Sequence, residues 1–204
     1  EAPWLYEALK LAGDIHHERA LQARDTGKYT LAETAFASAV RCYEDAIKIG
    51  PSDAEVYEGL AETWIRQIEM AVVRSNPTES LYKKSLATID DLIRVDSSSY
   101  SGHLKKSFAS MMSLSTSGAN LDGADLTNTC VKEAQMVLDV DANNSYALDL
   151  IGICVRFLAE QAVVHGQDPI LYLERSAQYF ELALKKNLRF IWAINDLAIV
   201  YLAK

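Results

Sequence analysis

The chain has 204 residues, of which 50% are hydrophobic and 24% are charged, a balance typical of a globular protein that is long enough to bury a core. Acidic residues outnumber basic ones by 28 to 20, which gives a net charge of −8 and makes nucleic acid and anionic membrane surfaces poor partners. No apolar run reaches the length that spans a bilayer, so membrane insertion is not expected.

Apolar residues recur at steps of three and four along the whole chain, which predicts helices and no strand. Ser52 and Glu55 have the spacing of a capping box for the third helix, and Asp168-Pro169 predicts an N-cap followed by proline at the first helical position. Nine helices of about 15 to 22 residues are predicted. They are separated by breaks rich in Gly, Pro, Asn, Asp or Ser, in chain order at residues 26–27, 50–52, 76–77, 97–99, 115–125, 143–144, 166–169 and 187.

The helices repeat in pairs, and we call the first and second helix of each pair the first-type and the second-type helix. The second-type helices end in the similar segments AIKIGP, LIRVDS, VLDVDA and ALKKNL, whose last residues, 51, 97, 142 and 188, lie at intervals of 46, 45 and 46. A small residue inside each first-type helix recurs at intervals of 48, 46, 45 and 46, namely Gly13, Ala61, Ser107, Gly152 and Ala198. Two landmarks with one period predict four helical hairpins and a final first-type helix.

Each type of helix carries its own packing pattern, which we call the seam. First-type helices present a large, an apolar, a small and a bulky residue, as in Tyr57-Leu60-Ala61-Trp64, Leu148-Ile151-Gly152-Val155 and Ile194-Leu197-Ala198-Tyr201. Second-type helices carry a bulky residue between two small ones, as in Ala39-Tyr43-Ala46, Ser176-Phe180-Ala183 and, more loosely, Cys130-Ala134-Val137. The small residues let two helices approach closely. The third unit fits least well, because His103 and Lys106 occupy large and apolar positions, and an alternative register would use Leu104, Phe108 and Met111.

The segment YEGLAETW (57–64) and endings such as AIKIGP resemble the tetratricopeptide repeat, a helix-turn-helix unit of 34 residues. Here the unit is about a dozen residues longer, which adds about one and a half turns to each helix. The resemblance implies an all-α, right-handed solenoid of antiparallel helix pairs. It implies a single domain over residues 1–204, expected to be part of a longer protein, with units at 3–51, 52–97, 98–142 and 143–188 and a terminal helix at 189–204.

A narrower resemblance concerns three short segments. These are Gly166-Gln167-Asp168-Pro169 followed by Leu173-Glu174-Arg175-Ser176, then YEGLAETWIRQIE (57–69) and FELALKKN (180–187), and they are similar to the C-terminal regions of certain bacterial serine/threonine protein kinases. This similarity implies a regulatory or partner-recruiting region of such a kinase. The alternative is a stand-alone scaffold or assembly protein that forms a homo-oligomer through its terminal helix.

No residue set with catalytic, metal-binding or cofactor-binding chemistry is found. The chain has no Gly-rich phosphate loop and no nucleophile–base motif. The stretch 139–149 alternates Asp and Asn as a calcium loop does, but it has Asn144 in place of the required Gly and Leu150 in place of the bidentate Glu. The three cysteines, Cys42, Cys130 and Cys154, have neither disulfide-framework nor metal spacing. Buried thiols in a reducing cytoplasm are therefore expected.

In the tetratricopeptide family, residues of the first-type helices that lie off the seam line an inner groove that binds a protein or peptide. Carried onto this chain, the groove has an acidic N-terminal half and a C-terminal half rich in aromatic and Met residues, suited to a partner with a basic end. The alternative is that these side chains are buried against second-type helices. The candidate residues are Asp14, Glu55, Glu58, Glu62, Arg66, Phe108, Met111, Met112, Tyr146, Arg156, Phe157 and Trp192.

Overall fold

A computed structural model describes residues 4–98, 100–115 and 121–203, and within these ranges every regular element is an α-helix. The all-α class is therefore confirmed. The long loop expected at 115–125 falls partly on residues 116–120, which lie outside the described ranges. The helices are α1 (Trp4–Asp25), α2 (Tyr29–Ile49), α3 (Ala54–Val73), α4 (Glu79–Val95), α5 (Tyr100–Leu114), α6 (Gly123–Val140), α7 (Ser145–Val164), α8 (Ile170–Lys186) and α9 (Ile191–Ala203).

The repeat is visible in the helix boundaries. The second-type helices α2, α4, α6 and α8 end at residues 49, 95, 140 and 186, at intervals of 46, 45 and 46, which are the intervals predicted from the sequence. The chain packs as two compact units, Glu1–Lys105 and Lys106–Lys204. In the first unit α1 packs along α2 and α3 along α4, and in the second α7 packs along α8.

The core of the first unit is organised around Tyr43 on α2. Its ring lies against the backbone of Gly13 on α1 and of Gly59 on α3, so closely that a Cβ at either glycine would lie 2.7 Å from a ring atom. The side chains around it, including Val56, Leu60 and Trp64, are buried. The predicted role of Gly13 as a point of close approach is confirmed, and Gly59 is a second such point.

The same arrangement recurs in the second unit, where Phe180 on α8 is fully buried. A Cβ at Gly152 on α7 would lie 2.5 Å from the Phe180 ring, and the Ser176 hydroxyl donates to the Gly152 carbonyl over 2.8 Å. The three residues of every predicted second-type seam are buried, in α2, α6 and α8 alike. A bulky side chain resting on a small residue is thus the packing unit that the repeat encodes.

The third repeat keeps the register set by the repeat period. Ser107 on α5 is fully buried, and its hydroxyl donates to the Cys130 carbonyl on α6 over 2.9 Å. The residues of the alternative register, Leu104, Phe108 and Met111, are only half-buried. Lys106, which stands at an apolar position of the seam, lies 3.6 Å from the carboxylate of Glu133 on α6.

Two local predictions are wrong. The third helix begins after Asp53 and not after Ser52, because the Asp53 carboxylate accepts the Glu55 amide at 2.9 Å and is also held by the Tyr6 hydroxyl. The eighth helix has Pro169 at its N-cap, and Asp168 caps it from one position earlier by accepting the Ile170 amide over 3.0 Å.

The expectation of three free thiols is also wrong. Cys130 on α6 and Cys154 on α7 form a disulfide, with their Cα atoms 6.7 Å apart, and both residues are fully buried. The two cysteines are 24 residues apart in the chain, and the turn between α6 and α7 folds the two helices back on each other. Cys42 is a half-buried free thiol. Because disulfides are rare in reducing compartments, the cysteine-based argument for a reducing cytoplasm no longer holds.

Candidate functional site

The predicted acidic residues of the first unit lie on α1 and α3, where basic side chains meet several of them. Lys10 on α1 bonds Glu55 on α3 with an Nζ–Oε2 distance of 2.6 Å. Further along the same two helices, Arg24 bonds Glu69 over 3.0 Å. Both pairs join residues 45 positions apart in sequence, which is one repeat. Successive first-type helices therefore present complementary charges to each other.

Glu62 lies at the centre of this charged face. It bonds Arg66 over 2.6 Å on its own helix and Lys105 on α5 over 2.8 Å, while Arg66 also bonds Glu69 over 2.6 Å. Burial by itself raises the pKa of Glu62, but the charges and hydrogen bonds of Lys105 and Arg66 outweigh it and lower the pKa below its ordinary value. Glu62 is thus a fixed, paired carboxylate.

Two further predicted residues of this unit differ in their surroundings. Asp14 accepts a 2.6 Å hydrogen bond from the Tyr43 hydroxyl. Burial, together with this bond, raises the pKa of Tyr43, so the phenol stays a donor. Glu58 is half-buried and makes no ion pair within the described part of the chain. Of the four predicted acidic residues, Glu55 and Glu62 bond basic side chains, Asp14 bonds the neutral Tyr43 hydroxyl, and Glu58 has neither kind of partner in these ranges.

A buried polar pair between α1 and α3 was not predicted. His17 Nδ1 lies 2.9 Å from the Thr63 hydroxyl, and that hydroxyl donates to the Gly59 carbonyl over 2.8 Å. The Thr63 oxygen therefore accepts from a protonated Nδ1. Burial lowers the pKa of His17, which keeps the imidazole neutral. This pair packs the two helices together and has no ligand-binding character.

The predicted residues of the second unit differ in exposure. Tyr146 at the start of α7 is 56% exposed and Trp192 at the start of α9 is 64% exposed. The Tyr146 ring contacts the buried Phe190 edge-on, with a centroid distance of 4.7 Å. The remaining predicted residues are half-buried, namely Phe108, Met111, Met112, Arg156 and Phe157.

A pair of aspartates between α7 and α9 was missed by the sequence analysis. Asp149 is 6% exposed, and its Oδ1 has no hydrogen-bond partner among the described residues. Burial, and then the charge of Asp196, raise the pKa of Asp149 to about 7. Burial also raises the pKa of Asp196, although Arg156 lies 3.9 Å away. Arg156 is shared with Glu160, which it bonds over 2.5 Å.

The sequence did contain a signal for this pair. Asp149 follows Tyr146 by three residues and Asp196 follows Trp192 by four, so each aspartate lies on the same helix face as an exposed aromatic residue. Neither position belongs to the seam pattern. The second unit therefore places an aromatic residue and a carboxylate together on each of two neighbouring first-type helices.

Within the described ranges, no group of three His, Cys, Asp or Glu side chains is arranged to hold a metal ion. In the same ranges, no helix is both long enough and apolar enough to cross a membrane.

Comparison with solved structures identifies the fold. The chain superposes on the crystal structure of MamA protein with a TM-score of 0.56 and 14% sequence identity, over 93% of this chain and 81% of that one. It also matches a thermophilic TPR protein, TTC0263, from Thermus thermophilus with a TM-score of 0.48 and 14% identity, over 93% of this chain and 99% of that one. The chain therefore shares its fold with the MamA structure. No protein-family model and no curated protein matches the sequence.

Proposed function

We propose that this chain is a non-catalytic protein-interaction module that recruits a partner to, or regulates, a bacterial serine/threonine protein kinase. The repeated helix pairs and the resemblance of the sequence to the tetratricopeptide repeat support the interaction role, since stacked helix pairs present extended surfaces that bind other chains. The kinase parent rests on the resemblance of residues 57–69, 166–176 and 180–187 alone. A cytoplasmic location goes with that parent, and the Cys130–Cys154 disulfide is the observation against it.

The observation that carries the interaction role is the exposure of Tyr146 and Trp192 on neighbouring first-type helices. Tyr and Trp are the residues that most often dominate the energy of protein interfaces. Asp149 and Asp196 lie beside them, and the one basic side chain that pairs with Asp196 among the described residues is Arg156. A partner segment that combines an apolar side chain with a basic one fits this surface.

The first unit carries a candidate surface of its own. In the described ranges Glu58 makes no ion pair, whereas Glu55 and Glu62 are paired and the Asp14 carboxylate is engaged by the Tyr43 hydroxyl. We expect a basic segment of a partner to bind at Glu58, because Glu62 is already engaged with Lys105 on α5. Reversing the charge of Glu62 would disturb this packing, so Glu58 alone is the informative position.

The test is a peptide-display selection on the full chain, followed by affinity measurements with variants. We expect enriched peptides to lose about tenfold or more in affinity for a Tyr146→Ala, Trp192→Ala double variant, as is usual for central interface residues. Glu58→Lys is expected to weaken the peptides that carry a basic end. Matched controls are Leu171→Ala and Glu44→Lys, which alter exposed residues on second-type helices. Peptides that bind all five proteins equally, or a selection without enrichment, would refute the proposal.

A second candidate function is a self-associating scaffold. It is favoured by α9, whose exposed apolar residues include Trp192, Ile199 and Leu202, a composition also found in homodimer interfaces. Sedimentation velocity over a hundredfold range of concentration tests it. A concentration-dependent dimer is expected if the scaffold function is right, and a monomer throughout excludes it.

A further inference from the structure

In the first unit, polar side chains of α1 have their partners on α3, the next first-type helix. The Lys10 ammonium bonds Glu55 over 2.6 Å, and His17 Nδ1 lies 2.9 Å from the Thr63 hydroxyl. The paired residues are 45 and 46 positions apart in sequence, which is one repeat. Two positions of one first-type helix are thus matched by two positions of the next.

In the second unit the same positions are polar on α7 but have lost their partners on α9. Counted from the small residue of each seam, the two positions on α7 hold Asp149 and Arg156. The two partner positions on α9 hold Trp192 and Val200, neither of which carries a charge. Asp149 Oδ1 and Arg156 Nε are both buried and have no hydrogen-bond partner in the described part of the chain. We call the region of these four residues and Asp196 the α7–α9 junction.

The lack of a partner for Asp149 does not depend on any residue after α9. Asp149 is on α7, which packs on α6, α8 and α9, and it is only 6% exposed. The helix that supplies Glu55 to Lys10 in the first unit has its counterpart in α9, which is present and supplies Trp192 at that position. Asp149 is therefore enclosed by its neighbouring helices and still lacks a counter-charge.

The helices around Asp149 turn few charges toward it. On α9 the charged residue is Asp196, and its charge, after burial, is what raises the pKa of Asp149 to about 7. On α6 the buried charged residue is Glu133, which lies 3.6 Å from Lys106. The buried residues of α8 in the described ranges are all uncharged. Asp149 thus faces a second carboxylate and no cation on these three helices.

The cation on α7 itself is drawn to other carboxylates. Arg156 bonds Glu160 over 2.5 Å, and a second terminal nitrogen lies 3.9 Å from Asp196, which is longer than a charge-assisted hydrogen bond. Asp149 lies two turns before Arg156 on the same helix face. Because a buried carboxylate without a counter-charge is costly, the junction has a vacancy for either a proton or a cation.

We propose that the α7–α9 junction binds the ammonium of a partner's lysine side chain, which replaces the proton held by Asp149 and Asp196. Asp196 is half-buried and contacts the ammonium, and Asp149 is a positioning residue whose ionised form completes the negative charge. The lysine stem lies against the exposed ring of Tyr146, one turn before Asp149. A compact ammonium suits this narrow opening better than a planar guanidinium does.

This inference rests on the proposed function and adds two properties to it, namely the basic residue of the partner and a dependence of binding on pH. With a pKa of about 7, Asp149 is ionised in about a tenth of the molecules at pH 6 and in about nine tenths at pH 8. A lysine ammonium stays charged over this range. Affinity for the lysine should therefore rise about tenfold from pH 6 to pH 8.

The probe is the capped dipeptide acetyl-Leu-Lys-amide, titrated into the isotope-labelled full chain at pH 6 and pH 8. Its binding is followed by the NMR shifts of the α7 backbone amides. We expect about tenfold tighter binding at pH 8. The same dipeptide with Nε-acetyl-lysine, which keeps the length but has no charge, is expected to leave these amides unshifted at both pH values.

Asp149→Asn should bind the lysine dipeptide at pH 8 about tenfold more weakly than the wild type, and equally at both pH values. Asp139→Asn is the matched control, because Asp139 is exposed on α6, and it should keep the wild-type pH dependence. A variant that only loosened the structure would weaken binding without removing its pH dependence. Wild-type binding that does not change with pH, or an Asp149→Asn chain that keeps the change, would overturn the inference.

The peptides enriched by display selection separate this inference from the proposed function. If they bind the wild type equally at pH 6 and pH 8, the proposed function stands and the inference fails. If neither these peptides nor the lysine dipeptide binds, both fail. A lysine dipeptide that binds with the expected pH dependence after an unsuccessful selection would support the junction as a lysine site and count against the larger peptide-binding role.

Discussion

Replacing Asp149 by asparagine is expected to change the pH dependence of stability. In the folded chain, burial and the charge of Asp196 raise the pKa of Asp149 to about 7 from an ordinary value of 3.8. The folded state therefore binds a proton that the unfolded state releases, and the stability that this proton contributes is fully present below about pH 4 and is lost as pH rises to about 7. A gap of about three pKa units corresponds to about 4 kcal/mol.

The asparagine side chain of this variant is neutral at every pH, but its buried amide costs about 1 to 2 kcal/mol if its hydrogen bonds are not made. We therefore expect Asp149→Asn to be less stable than the wild type by about 1 to 2 kcal/mol at pH 4, and more stable by about 2 to 3 kcal/mol at pH 8. Subtracting the free energies of unfolding of the two proteins at each pH removes the contribution of every other titrating group, because both proteins contain those groups.

Urea unfolding at pH 4, 5, 6, 7 and 8, followed by circular dichroism, measures this difference directly. Asp139→Asn is the control, because Asp139 is exposed on α6, and its difference from the wild type should stay flat. A difference for Asp149→Asn that does not vary with pH would refute the reasoning, as would a variant that is less stable than the wild type at pH 8.

Three further predictions concern the packing, the buried histidine and the disulfide. Gly152→Ala should destabilise the chain by about 1 to 3 kcal/mol through overpacking, and Phe180→Ala in the same chain should remove most of that penalty in a double-mutant cycle followed by urea unfolding. Because burial lowers the pKa of His17, stability should fall as pH drops below the unfolded value of about 6.5, and His17→Gln should reduce this fall between pH 7 and 5. Alkylation of the unreduced, unfolded chain should modify one thiol of three, and reduction should lower stability by about 3 kcal/mol. Modification of three thiols would show that Cys130 and Cys154 are not joined.

The sequence predicted the parts of the fold that are set by periodicity. The interval between second-type helix ends and the small residues at Gly13, Ser107 and Gly152 could be found because close helix packing restricts residue size at fixed positions. The sequence placed the charged residues on the first-type helices, but it did not predict which acidic residue pairs with which basic one. Whether Glu62 meets Lys105 depends on the rotation of two helices separated by some forty residues, and no local pattern records that angle.

The disulfide and the aspartate pair were missed for related reasons. Cys130 and Cys154 each fit an apolar helical pattern, and a cysteine packs in the same way whether it is reduced or oxidised. Asp149 stands in an otherwise apolar stretch of α7 that runs from Ala147 to Val155, where a carboxylate is costly unless it is paired or protonated. That cost was the available clue, since an unpaired acid inside an apolar helix predicts either a partner from a distant element or a raised pKa.

The disulfide also determines how the chain responds to mechanical force. Cys130 and Cys154 belong to helices of successive repeats, α6 and α7, so the bond fastens one hairpin to the next and not the two halves of a single hairpin. When the ends of the chain are pulled apart, the segment between the cysteines, which are 24 residues apart, cannot extend. The stretched chain is therefore about 80 Å shorter than it would be without the disulfide. The turn between these repeats would stay joined by the disulfide while the neighbouring repeats unfold, until a reductant breaks the bond.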